Sequence, residues 1–177
     1  MQIPLVMTVI GQDRPGLVET VARMVSEHGG NWLESRMCRL GGEFAGLLRI
    51  HVPAEREAAL VQALAQLHNQ GLTVVVVPDR TGVRAGIRRL AALEIVGQDR
   101  PGIVRQITQA LARQQVNVEE LRTECSSAPM TGEPLFMAKA TLRLPENCNL
   151  ANLRQELDKI AGELLVEADL AELPVSP

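Results

Sequence analysis

From the amino terminus, Ile3, Leu5, Met7 and Val9 occupy every second position, the period of a strand with one buried face. The strand they predict ends at a loop, GQDRPG, from Gly11 to Gly16. Leu17, Val18, Val21, Met24 and Val25 then recur at helical spacing, and His28-Gly29-Gly30 closes the helix they define. Residues Asn31 to Leu40 and Glu43 to His51 read as two strands joined across Gly41-Gly42, a hairpin turn. Leu60, Leu64 and Leu67 mark a second helix, and the β-branched run from Leu72 to Val77 predicts a last strand.

The same order then returns. Strands are expected near Leu90 to Val96, Val116 to Cys125, Leu135 to Leu144 and Leu164 to Leu170, with helices from Pro101 and from Leu150 to Ala161. The second hairpin connection, Ser126 to Pro134, is longer and rich in turn residues. Gly11 and Gly97 are 86 positions apart, and that shift lays VIGQDRPGLV on IVGQDRPGIV. It also matches Val21 with Ile107, Asn31 with Asn117, Glu34 with Glu120 and Arg36 with Arg122. A repeat of about 80 residues exceeds the usual solenoid unit and points to two globular domains. These are placed at 1–78 and 89–172, with a linker at 79–88 and a tail at 173–177.

The order βαββαβ gives an α+β class, two ferredoxin-like units in tandem, each with two helices on one face of an antiparallel sheet. A unit of this size buries proportionally little surface and leaves a helix-free face and open edges. Domain or subunit packing, and so a homo-oligomer, is expected to cover them. The clefts where units meet suit a ligand.

Composition narrows the classes. Of 177 residues, 46% are hydrophobic and charges of both signs are present, so the chain can bury a core. The terminus MQIPLVMTVIGQD has no basic stretch before its apolar residues, and no apolar run reaches the roughly 20 residues of a membrane span. A cytoplasmic location without membrane contact is expected. The net charge of −3 disfavours direct nucleic-acid binding, and Trp32, Phe44 and Phe136 are too few for a base-stacking platform. Cys38, Cys125 and Cys148 fit neither a disulfide framework nor a CxxC metal site, and are read as reduced, buried or incidental thiols.

Within GQDRPG, a structural account comes first. Pro15 and Pro101 suit the first turn of a helix, while Asp13 and Asp99 can accept from its free N–H groups. That account leaves Gly16 and Gly102 unexplained, because glycine costs about 1 kcal/mol in a helix relative to alanine. A missing side chain admits a ligand to the N–H groups of the first turn, where an anion is favoured. A neighbouring Asp carboxylate could hold an ammonium group, and the amide of Asn31 or Asn117 could both donate and accept. Together these complement a free α-amino acid. A phosphate-binding loop is excluded, since Leu17 and Val18 stand where Lys and Ser or Thr are required.

With these residues the chain resembles the ACT domain family, in which a βαββαβ unit carries a DRPG-type loop after its first strand and an Asn at the start of its second. The resemblance spans nearly the whole chain, twice. The stretch NWLESRMCRLGGEF, Asn31 to Phe44, further resembles the glycine cleavage system transcriptional repressor group of tandem ACT proteins. The resemblance implies binding of an amino acid or similar small metabolite, with glycine suggested by the group, and regulation as the output; with no helix-turn-helix and no overall basic charge, any effect on transcription is expected to pass through a protein partner. Ligand contacts carried over fall on Gln12, Asp13, Gly16 and Asn31, and on Gln98, Asp99, Gly102 and Asn117. After Asn117 the second half departs from the pattern, so the two sites are expected to be unequal.

Other chemistry is not supported by the sequence. His28, His51 and His68 lie far apart without HExxH spacing, no Ser sits in GxSxG, and no Cys has an evident His partner. No catalytic residue, metal site or cofactor is therefore expected. Arg80, Arg84, Arg88 and Arg89 concentrate charge around the linker, read as a solvated connector in preference to a docking patch. Two alternatives stay open: a structural oligomerisation module without ligand, and a nucleic-acid binder acting through that arginine-rich linker.

Overall fold

The computed structural model describes residues 1–79, 89–127 and 132–174. The chain forms two compact units, 1–84 and 85–177. In the first, β1 (Gln2–Gln12), α1 (Leu17–Glu27), β2 (Asn31–Leu40), β3 (Glu43–Pro53), α2 (Glu57–Gln66) and β4 (Leu72–Pro78) follow in order. In the second, β5 (Arg89–Gln98), α3 (Ile103–Arg113), β6 (Asn117–Ser127), β7 (Pro134–Leu144), α4 (Leu150–Leu164) and β8 (Val166–Glu172) repeat it. The sheets run β2-β3-β1-β4 and β6-β7-β5-β8, with every neighbouring pair antiparallel. The ferredoxin-like order is thus present twice.

Alternation builds each sheet. On β1, Leu5, Met7 and Val9 face the core and meet Leu17, Val21 and Val25 of α1 and Leu60 and Leu64 of α2. The second unit matches it with Leu93 and Ile95 of β5, Ile103, Ile107 and Leu111 of α3, and Leu153 and Leu157 of α4. Among the described residues no polar or charged one is buried as a whole residue, and each core cluster is apolar. Truncating one such leucine to alanine costs about 2–5 kcal/mol.

The element bounds differ from the sequence reading where glycine and proline act. Gly11 and Gln12 belong to β1, and Gly97 and Gln98 to β5. The helix expected from Pro101 begins at Ile103, because Gly102 has φ 99° and cannot continue a right-handed helix. Gly41 and Gly42 have φ 61° and 89°, the paired positive values of a tight hairpin turn. Of the linker arginines, Arg80, Arg84 and Arg88 lie outside the described residues. Arg89 opens β5, bonds Glu172 at 2.9 Å and reaches the Glu146 carbonyl at 3.2 Å. The Glu172 bond raises the Arg89 pKa above its ordinary value. Asp79 closes the first unit: its N–H donates to Pro4 and its carboxylate accepts from Arg49 at 2.7 Å.

Candidate functional site

Each DRPG loop is tied down through its backbone and left open on its outer side. The Asp13 N–H donates to the Gly42 carbonyl at 2.9 Å, and the Asp99 N–H to that of Pro134 at 3.0 Å. Arg14 donates to the Gln70 carbonyl at 2.7 Å. Leu17 and Ile103 are buried immediately after the loops, which anchors each helix start. Between these ties, residues 12–16 and 98–102 are exposed.

The capping account of the sequence reading is corrected. Gly16 and Gly102 are themselves the N-caps, at φ 91° and 99°, and neither helix receives a side-chain cap. Asp13 does not cap α1; its carboxylate accepts from Arg39 Nε at 2.6 Å. Pro15 and Pro101 precede the caps instead of opening the first turn. The glycines answer to the left-handed backbone, which a side chain disfavours. By contrast, Asn149 caps α4 in the ordinary way, accepting from the N–H groups of Ala151 and Asn152 at 3.0 and 3.2 Å.

The two asparagines are not beside the loops of their own units. Asn31 pairs with His51, which pairs with Pro4, whereas Gln12 pairs with Glu43. Eight positions of β1 separate these rows, about 26 Å at 3.3 Å per residue. Asn117 lies likewise on the row of Arg143 and Leu90, and Gln98 on that of Leu135. α1 runs back along its sheet, so β2 starts at the end where β1 starts. One small ligand cannot touch Asp13 and Asn31 of the same unit. Asn117 also donates to Glu119 at 3.1 Å, and Glu119 in turn pairs with Arg143 at 3.0 Å.

The structure adds residues that the sequence reading missed. A Cβ on Gly11 would run into the Gly71 carbonyl, and one on Gly97 would lie 2.6 Å from Val166 Cα. The first glycine of each hexapeptide therefore lets the last strand approach. Arg39 has no arginine counterpart: it faces Phe44 as Cys125 faces Phe136. The Asp13–Arg39 pair thus belongs to the first unit. Cys38 and Cys125 are exposed rather than buried, and Cys148 is intermediate. His28 takes a capping place, its Nδ1 at 2.8 Å from the Met24 carbonyl. Among the described residues no group of His, Cys, Asp and Glu is arranged to hold a metal ion.

Two βαββαβ units in tandem, each with an exposed loop at an uncapped helix N-terminus, define the class as a duplicated ferredoxin-like protein. Residues 4–77 and 91–141 each match the ACT domain; the chain belongs to the ACT domain family. The glycine cleavage system transcriptional repressor of Escherichia coli K12 is 26% identical over 168 residues, covering 94% of this chain and 88% of the relative. The Shigella flexneri protein of the same name matches equally. A crystal structure of a protein of unknown function from Galdieria sulphuraria superposes with a TM-score of 0.83 at 28% identity, covering 98% of this chain and 99% of that one. A structure of a candidate glycine cleavage system transcriptional repressor gives a TM-score of 0.72 at 24% identity, covering 98% of each chain, and shows the shared fold. The chain is a tandem ACT-domain protein related to that repressor.

Proposed function

We propose that this chain is a non-catalytic, cytoplasmic regulator that senses an amino acid, glycine being the first candidate from its relatives' name, and signals through a protein partner. The observation that carries the reading is the pair of helix N-termini without side-chain caps, at Gly16 and Gly102. Their first-turn N–H groups favour a carboxylate, and Asp13 and Asp99 stand beside them for an ammonium group. Gln12 and Gln98, at the strand ends, flank the same openings. Asn31 and Asn117 lie at the far ends of their own sheets, so neither completes a site with the loop of its own unit. A homo-oligomer is part of this proposal.

A specific observation supports self-association. The helix-free face of the first sheet presents Ile10, Leu47, Val75 and Val77, between 48% and 54% exposed. The second sheet carries Glu94 opposite Lys139 and Asp169, and Val96 opposite Glu167. If the chain is only an oligomerisation module, the apolar face is sufficient and no ligand binds. A thermal-shift panel of amino acids on the wild type, Asp13→Ala and Asp99→Ala decides the matter. A ligand at 100 times its dissociation constant stabilises the folded site by about 2.7 kcal/mol. No shift with any amino acid at millimolar concentration removes the sensing proposal. Steeply salt-dependent DNA or RNA binding, lost in Arg84→Ala and Arg88→Ala, would favour the linker alternative instead.

No helix among the described residues is long and apolar enough to cross a membrane. The cytoplasmic assignment rests on the relatives' name as regulators of transcription. Fractionation of cells expressing the chain checks it.

A further inference from the structure

The edges of the two sheets are β2 and β4 in the first unit and β6 and β8 in the second. An open edge is a template for another strand, and charge or a bulge ordinarily blunts it. β2 carries Glu34, Arg36 and Arg39 and a register shift between Trp32 and Glu34. β6 carries Glu119, Glu120, Arg122 and Glu124 and a register shift between Val118 and Glu120. β8 carries Glu167, Asp169 and Glu172. β4 alone has neither device: Leu72–Pro78 contains no charged residue, and its pairing with β1 runs without a shift. The difference holds position by position. Val75 lies opposite Thr8 as Asp169 lies opposite Glu94, and Thr73 lies opposite Ile10 as Glu167 lies opposite Val96.

The phase of the hydrogen bonds decides which groups of β4 are open. The Asp79 N–H donates to the Pro4 carbonyl, and bonded pairs recur at every second residue of an antiparallel ladder. Thr73, Val75 and Val77 therefore turn their N–H and C=O groups to Ile10, Thr8 and Val6 of β1. Leu72, Val74 and Val76 turn theirs outward. Pro78 falls in the outward set, where its missing N–H removes no bond to β1. The side chains of Val75 and Val77, on residues 54% and 48% exposed, stand on the helix-free face of the same strand.

We propose that the β4 edge is the contact between two copies of the chain, which pair their β4 strands antiparallel about a two-fold axis and join their first sheets into one. A two-fold contact uses the same surface on both copies, and the antiparallel order it gives a pair of strands is the one that this sheet already uses. With no charge on β4, self-pairing opposes no like charges and sets threonine and valine side chains against one another, which favours an antiparallel pair. The first charge beyond the strand, Asp79, is already held by Arg49 at 2.7 Å. Each chain offers one such edge among the described residues, so the assembly closes as a dimer. This inference deepens the homo-oligomer of the proposed function by naming its surface, and it needs no ligand.

The full chain is tested by analytical ultracentrifugation from low to high micromolar concentration, and by amide exchange at the outward N–H groups. Wild type is expected to be a dimer in which the Val74 and Val76 amides are protected, while Ala168 and Leu170, their counterparts on β8, exchange fast. Val76→Pro deletes one outward N–H and no bond to β1, and is expected to lose the dimer. Leu47→Asp places a charge on the helix-free face, on β3 and away from the edge, and is expected to keep it. Fast exchange at Val74 and Val76 in a dimeric wild type would overturn the edge contact but leave a homo-oligomer standing, and it decides the matter even if Val76→Pro does not fold. A wild type that stays monomeric would remove both. Dissociation by Leu47→Asp with an undiminished dimer in folded Val76→Pro would also overturn the proposal.

Discussion

Gly11 and Gly16 bracket the first copy of the repeated hexapeptide, and the structure gives them opposite reasons to be glycine. Gly11 lies within β1, where a Cβ would run into the Gly71 carbonyl and come within 3.3 Å of Leu72 Cα. Gly11→Ala must push β4 away from β1, and overpacking of this kind costs about 1–3 kcal/mol. Gly16 has open space at its Cβ but φ of 91°, so Gly16→Ala incurs backbone strain of about 1–2 kcal/mol. Asparagine separates the mechanisms. It tolerates left-handed backbone, so Gly16→Asn recovers part of the loss, whereas the larger side chain at Gly11 deepens it. A chain of two units has no single well-defined unfolding free energy. Amide exchange at Met7, Leu48 and Ile50 therefore reads the first unit, with Leu93 and Leu142 as the internal reference. The expected order at position 16 is wild type, Asn, Ala, and at position 11 wild type, Ala, Asn. The same order at both positions would refute the reasoning. So would a Gly11→Ala protein within about 0.5 kcal/mol of wild type, the range of an ordinary surface change.

Asn149→Ala removes both cap bonds of α4 and is expected to cost about 1 kcal/mol, seen as faster exchange in the second unit alone. Asp79→Asn removes the charge facing Arg49, with the Asp79 side chain only 3% exposed, and is expected to cost the first unit about 1–3 kcal/mol in the same assay. Arg39→Ala breaks a pair whose side chains are 68% and 35% exposed. It is expected to cost less than about 1 kcal/mol, with the difference shrinking as salt is raised. Leu142→Ala, at a position with no exposure, is expected to cost about 2–5 kcal/mol, and equilibrium urea unfolding should show it in one transition of two.

The fold was largely legible because period-2 and helical patterns alternate with few interruptions. The strand expected at Asn31 to Leu40 has those bounds in the structure. The end of β1 was also present in the pattern: Gly11 continues the buried positions of Leu5, Met7 and Val9, but a residue without a side chain gives no hydrophobic signal. The helix starts were misplaced because proline at the first helical position and glycine in a left-handed cap are competing uses of the same Pro-Gly pair. Here the glycine decides, since its φ ends any right-handed continuation. The distance between loop and asparagine was not legible for a different reason. Recurrence at equal spacing shows equivalence between the units but carries no distance within one. The crossover did carry that information, because α1 has 11 residues, about 16 Å of helix, enough to return the chain towards the start of β1.

The repeated glycines of the two copies therefore record what the backbone requires: Gly11 and Gly97 for strand approach, Gly16 and Gly102 for the cap. Differences in function must come from positions that diverged. Asp13 is held by Arg39, while Cys125 occupies Arg39's position in the second unit. An ammonium group entering the first loop must displace a guanidinium at 2.6 Å; at the second it meets no arginine in that place. The proposed amino-acid response should then be unequal, with Asp99→Ala removing more of the thermal shift than Asp13→Ala. Arg39→Ala should raise the contribution of the first loop. Equal losses from the two aspartates, unchanged by Arg39→Ala, would show that the ion pair does not govern access.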